Sequence, residues 1–122
     1  MGLEHSTKES FYYAFQGIRT AYKNEPNLKI QTVFAVIALS VGVFLKLDRI
    51  EWLILTFTIF WVISLELLNT VIESLVNLVS PEVKPYAKIA KDVSAACVLV
   101  AAILSIIVGL ILFVPKINCM FK

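Results

Sequence analysis

The hydrophobic residues of this chain fall into three long runs joined by short polar stretches and preceded by one amphipathic segment. In residues 6–24, Phe11, Phe15, Ile18 and Tyr22 recur at helical spacing, and Gln16, Arg19, Thr20 and Lys23 take much of the other side. Ser6 with Glu9 three residues later matches a capping box that would start this helix. An aromatic face opposite a mildly basic one suits a helix lying in a membrane interface, and equally one packed on a membrane bundle. Pro26 breaks the pattern and puts Glu25 at a bend, where by itself it reads as a solvated surface acid.

Transmembrane helices are predicted over residues 30–47, 52–79 and 86–114. The apolar run 30–45 is short for a span that needs roughly 17–25 residues, and Leu47 extends it. The polar stretch 46–51 is a tight connection, so the second span returns antiparallel. Trp52 opens that span at the interface, where Trp is favoured. Residues 93–114 form the cleanest apolar run, with Pro115 as its stop. The expected architecture is a single all-α membrane domain over residues 1–122, an interfacial helix plus three transmembrane helices.

Composition agrees with the pattern. Of 122 residues 59% are hydrophobic and 16% charged, against roughly 45–50% apolar usage in soluble domains, and the mean hydropathy is +0.84. A net charge of +2, spread along the chain, gives no footprint for nucleic acid. Cys97 and Cys119 have neither disulfide-framework nor zinc spacing. Residues 1–10 are polar, with no cleavable signal peptide visible. Lys8, Arg19, Lys23, Lys29, Lys84, Lys88 and Lys91 flank one side of the membrane, and Lys46, Arg49, Lys116 and Lys122 the other. That asymmetry predicts a cytoplasmic N-terminus and an opposite C-terminus.

One stretch breaks the apolar rule. Within the second span, Asn69, Glu73 and Asn77 lie about 60° behind, 20° behind and 20° ahead of Glu66 on a helix, with Thr70 about 40° ahead. Carboxylates near lipid are costly and ordinarily face a bundle interior or a site. Counted from Trp52, Glu66 lies about 21 Å along the helix and Glu73 about 32 Å, so the stripe runs from inside the bilayer to one interface. Three helices are few to wrap such a stripe, which predicts a homo-oligomer whose subunits help enclose it.

Two carboxylates, two amides and Lys91 near a membrane surface suit magnesium-dependent phosphoryl transfer. Mg²⁺ takes one or two carboxylates and leaves its other positions to water and phosphate. The deeper and drier Glu66 is the better general base, and the shallower Glu73 the better metal ligand. Lys91 is placed to neutralise phosphate as a point charge. The four glycines, Gly2, Gly17, Gly42 and Gly109, form neither a P-loop nor a kinase glycine-rich loop, and His5 is the only histidine.

Three motifs carry a resemblance. Residues 66–73, ELLNTVIE, resemble the E-x-x-N-[TS]-x-I-E signature of the small prokaryotic diacylglycerol kinases, a family that includes undecaprenol kinases. Ala90-Lys91-Asp92 resembles a second motif of that family, and Asn24-Glu25-Pro26-Asn27-Leu28-Lys29-Ile30 a third; the similarity runs in order over residues 8–115. The resemblance implies a homotrimer with sites shared between subunits, and transfer of the ATP γ-phosphate to a lipid hydroxyl with Mg²⁺. It implies Glu66 as catalytic base, Asn69 beside the transferred phosphate, and Glu25 and Glu73 as metal ligands. Lys91 and Asp92 match nucleotide-side residues, as do Tyr13, Gly17 and Arg19 of the first helix. Asn77 stands where many relatives carry Asp, and Gln31 where an acid or His is frequent, which leaves its role open. The 25–30 stretch and the loop Ser80-Pro81 to Lys84-Pro85 look more like the undecaprenol-kinase branch. Diacylglycerol is the alternative substrate. A cation-conducting oligomer would explain the stripe but not Lys91-Asp92 or Glu25, and polar residues that merely fix helix packing are the blander reading.

Overall fold

The computed structural model describes residues 6–82 and 84–122. The polar lead-in with Gly2 and His5, and Val83 of the second connection, lie outside the described residues. Four helices follow in order: α1 Thr7–Asn24, α2 Pro26–Phe44, α3 Arg49–Val79 and α4 Pro85–Met120. Among the described residues, α2, α3 and α4 are long and apolar enough to cross a membrane. The expected all-α architecture of one surface helix and three spans is present.

α1 begins where expected, with Ser6 Oγ accepting from the Glu9 backbone N–H at 3.3 Å. Its aromatic side stays open, Phe11 and Phe15 being 64% and 67% exposed, and only Ala21 is buried. Tyr22 and Thr32 hydroxyls meet at 2.5 Å and pin the end of α1 to the start of α2. Thr32 gives its own proton to the Leu28 carbonyl, so Tyr22 is the donor in that contact.

The spans differ from their expected bounds at helix ends, and each difference has a local cause. The span expected at 30–47 is Pro26–Phe44, because proline is well suited to the first helical turn, where its missing N–H is not needed. It stops at a turn in which Leu47 N–H bonds the Gly42 carbonyl and Lys46 N–H the Val43 carbonyl, both at 3.2 Å. Lys46 takes the left-handed conformation that closes such a turn, with φ 56°. Gly42 is required here: a Cβ would stand 2.9 Å from the Trp52 ring and 3.0 Å from Leu47. The span expected at 52–79 begins at Arg49, since Asp48 Oδ1 accepts from the Glu51 N–H at 2.9 Å and caps a turn earlier. The span expected at 86–114 is Pro85–Met120. Pro115 does not end it but lies inside it. A membrane helix tolerates the loss of one backbone donor when neighbouring groups hold the helix, and Lys116 is tied to Glu51 of α3 at 3.3 Å.

α3 is the central element, packed along α4 and against α2, with α1 touching α2 and α3. Leu47, Leu55 and Leu112 form the core at the far end from α1, joined by Trp52, Ile59 and Phe113. Between α2, α3 and α4 runs an apolar groove of about 490 Å³, from Ile30 and Gln31 to Gly109 and Phe113. Along α2 its lining extends from Ile30 to Ala38, about 12 Å at the helical rise.

Candidate active site

The stripe on α3 is graded in burial as well as in depth. Glu66 is 1% exposed and Asn69 7%, Thr70 and Glu73 are half-buried, and Asn77 is exposed. The expected help from other subunits bears on the rest of the stripe, because one chain encloses its deep end by itself. The reason is that α2 and α4 each send a polar side chain to it. Gln31 Nε2 donates to Glu66 Oε2 at 3.1 Å, and Ser94 Oγ donates to Asn69 Oδ1 at 2.6 Å. The shallow end is the part this chain leaves open.

Asn69 is fixed at both ends of its amide. Its oxygen accepts from Ser94, and its Nδ2 donates to Glu73 Oε1 at 3.3 Å. Thr70 Oγ1 returns its proton to the Glu66 carbonyl at 3.2 Å, so it acts on the backbone rather than in the site. Glu66 Oε1 is buried without a hydrogen-bond partner, as is Gln31 Oε1. A buried acceptor left unpaired is costly and marks a place where a donor belongs.

Glu25 joins α1 to α2, flanking both helices, yet its carboxylate caps neither. Glu25 and Glu73 both lie within coulombic reach of Glu66, so the bend and the stripe converge. No group of three or more His, Cys, Asp or Glu side chains that could hold a metal is found among the described residues. Two carboxylates nonetheless match Mg²⁺, which binds hard oxygens and keeps positions for water and phosphate. Glu73 spends Oε1 on Asn69, so Oε2 is the oxygen it would offer a metal.

At the surface end, Lys91 Nζ donates to Asn77 Oδ1 at 2.5 Å, joining two residues expected on the nucleotide side. Asp92 instead pairs with Lys88 one turn away, at 2.6 Å. On α1, Tyr13 and Gly17 are one turn apart in line with buried Ala21, which marks the side of α1 that faces the bundle. Arg19 sits about 160° around the helix from Gly17 and does not share that line. Gly17 has open space where a Cβ would stand. The structure thus gathers Glu25, Glu66, Asn69 and Glu73, pairs Asn77 with Lys91, and leaves Arg19 apart.

Two residues of the site were not singled out as site residues by sequence reasoning. Ser94 reads there as one more small residue of a span, although its position three beyond Lys91 puts it one turn deeper on the same side. Gln31 was visible only as a departure. A polar amide near the start of an apolar run was the signal available.

Comparison with known proteins agrees with this geometry. Residues 12–113 match the model of the family described as prokaryotic diacylglycerol kinase. The chain is similar to the undecaprenol kinase of Bacillus subtilis, 41% identical over 108 residues that cover 88% of each chain. It is also 41% identical over 107 residues to a diacylglycerol kinase of Synechocystis, covering 87% of this chain and 61% of that one. With the diacylglycerol kinase of Escherichia coli K12 it shares 31% identity over 100 residues, 82% of each. The chain belongs to the prokaryotic diacylglycerol kinase family and is a membrane lipid kinase.

Proposed function

We propose that this kinase transfers the γ-phosphate of ATP to the hydroxyl of undecaprenol, giving undecaprenyl phosphate, in a bacterial plasma membrane with its site on the cytoplasmic side. The observation that carries this reading is the meeting of an apolar groove with a buried carboxylate. Gln31 lines the head of the groove and touches Glu66, whose Oε1 has no partner. A long hydrocarbon chain lying in the groove brings a terminal hydroxyl to that oxygen, and Glu66 takes its proton as the lipid oxygen attacks phosphorus. Asn69, held by Ser94 and Glu73, donates toward the transferred phosphate. Lys91 and Asn77 meet the nucleotide at the surface end, with Asp92 beside them. Tyr13 and Gly17 cover it from α1.

Glu25 and Glu73 would hold Mg²⁺, which when bound spreads the charge of the transferring phosphoryl group. A homotrimer closes the shallow end of the stripe, supplying from a neighbour the cover that Glu73 and Asn77 lack here. Undecaprenol is preferred to diacylglycerol because the Bacillus subtilis relative named for it matches over 88% of both chains, and because the groove is apolar along its length. Purified protein given labelled ATP, with undecaprenol and diacylglycerol side by side, tests the choice. Greater turnover of undecaprenol is expected; faster phosphorylation of diacylglycerol would reassign the substrate.

A further inference from the structure

Gln31 and Glu66 carry the two buried unpartnered side-chain acceptors found among the described residues, and they belong to side chains bonded to each other. The pair has one hydrogen bond and two unmet acceptors. A carboxylate can only accept, so the amide must present Nε2 to it and turn Oε1 away. That arrangement suits an ionised Glu66, and it also suits a Glu66 protonated on Oε1, whose Oε2 still accepts. A proton arriving on Glu66 Oε1 therefore leaves the bond from Gln31 to Oε2 in place.

We infer that Gln31 is a positioning residue for the base, holding Glu66 in one orientation through both halves of the reaction. Before transfer, Gln31 Nε2 binds Glu66 Oε2 and leaves Glu66 Oε1 for the lipid hydroxyl. In the transfer step the lipid oxygen bonds to the γ-phosphorus as the bond from that phosphorus to the β,γ-bridging oxygen breaks. ADP leaves with the electron pair, and the hydroxyl proton passes to Glu66. After transfer the proton sits on Glu66 Oε1 and Gln31 Nε2 keeps its bond to Oε2 until that proton is released to water. Met at position 31 has similar length and neither donor nor acceptor. Neutral His has one of each, though the ring cannot keep both roles at one atom position. The inference rests on the kinase reading above for the proton's origin, but the contact itself can be tested without turnover.

The experiment pairs kinetics with a spectroscopic probe on the full-length protein in micelles. For Gln31→Met, kcat with MgATP and undecaprenol falls about 10²-fold, the scale of a small misplacement of a reacting group, and KM for MgATP is unchanged. Gln31→His recovers part of the loss. In protein labelled with ¹³C at glutamate carboxyls, the signal absent from Glu66→Gln identifies Glu66, and it moves in Gln31→Met without any substrate. Unchanged kcat per folded molecule in Gln31→Met overturns the inference, as does an unmoved Glu66 signal. If Gln31→Met does not fold, the same signal is read in Gln31→Leu, which also lacks the donor, and no movement there is equally contrary. Wild-type protein that phosphorylates no lipid alcohol sinks the kinase reading instead, and the carboxyl signal still reports on the contact.

Discussion

Ser94 of α4 donates a 2.6 Å hydrogen bond to Asn69 Oδ1 of α3, both side chains being buried. That bond decides which way the Asn69 amide faces, because it claims the oxygen and sends Nδ2 toward Glu73. Ser94→Ala leaves a buried carbonyl oxygen unpaired, at about 1–3 kcal/mol, and frees the amide to turn. Lower thermal stability and reduced kcat are expected together, with KM for MgATP little changed. Thermal unfolding in detergent alongside steady-state kinetics checks both; an unaffected kcat would remove Asn69 orientation from the account.

Lys91 is held at the surface end by a neutral amide, so its positive charge is not cancelled by its partner. Lys91→Met therefore removes a phosphate-facing charge rather than half of an ion pair. KM for MgATP is expected to rise more than kcat falls, and the defect to grow with ionic strength held low, where exposed charges act most strongly. A titration of initial rate against MgATP at two salt concentrations decides this. An unaltered KM would take Lys91 out of nucleotide binding.

Gly17 offers a clean separation of stability from function. A Cβ there meets nothing within 4 Å in the chain, and alanine is favoured over glycine inside a helix by about 1 kcal/mol. Gly17→Ala is thus expected to preserve or raise the melting temperature while raising KM for MgATP, since the proposed function sets the nucleotide against that side of α1. Unchanged KM would mean that α1 does not approach the nucleotide there.

The α2–α3 connection supplies two stability tests remote from the chemistry. Lys46 is a non-glycine residue at φ 56°, and Lys46→Gly relieves about 0.5–1 kcal/mol of backbone strain with activity unchanged. Asp48 caps α3, and the Glu51 backbone N–H it accepts holds its carboxyl below the ordinary value of 3.8. A carboxyl depressed in the folded state contributes fully above its unfolded value and loses that contribution as pH falls through its folded value. The stability advantage of wild type over Asp48→Ala should therefore be constant near neutrality and shrink below the ordinary value of 3.8. Melting curves for both proteins along an acid series measure it; an advantage that grows with acid would contradict the cap.

Much of the site was legible because it lies on one helix. Glu66, Asn69, Glu73 and Asn77 share a face by periodicity alone, and their order from buried to exposed follows their depth along α3. What comes from other helices was less so. The Gln31–Glu66 contact joins residues 35 apart in the chain and the Ser94–Asn69 contact residues 25 apart, and no local pattern encodes either. At the helix ends the errors were of another kind. Pro115 was taken as a stop, but in α4 packing along α3 outweighs one missing donor. Pro26 was taken as a break and is also the first residue of α2.

The central claim is that Glu66, joined by Gln31 to the head of the groove, takes the proton of the lipid hydroxyl. Transfer of label from γ-labelled ATP to undecaprenol by Glu66→Gln, with MgATP binding measured on the same preparation, tests it most directly. The glutamine keeps the size and can still meet Gln31, but it cannot accept the proton. Loss of transfer by orders of magnitude with nucleotide binding nearly intact is the predicted result; near-normal transfer would contradict the account.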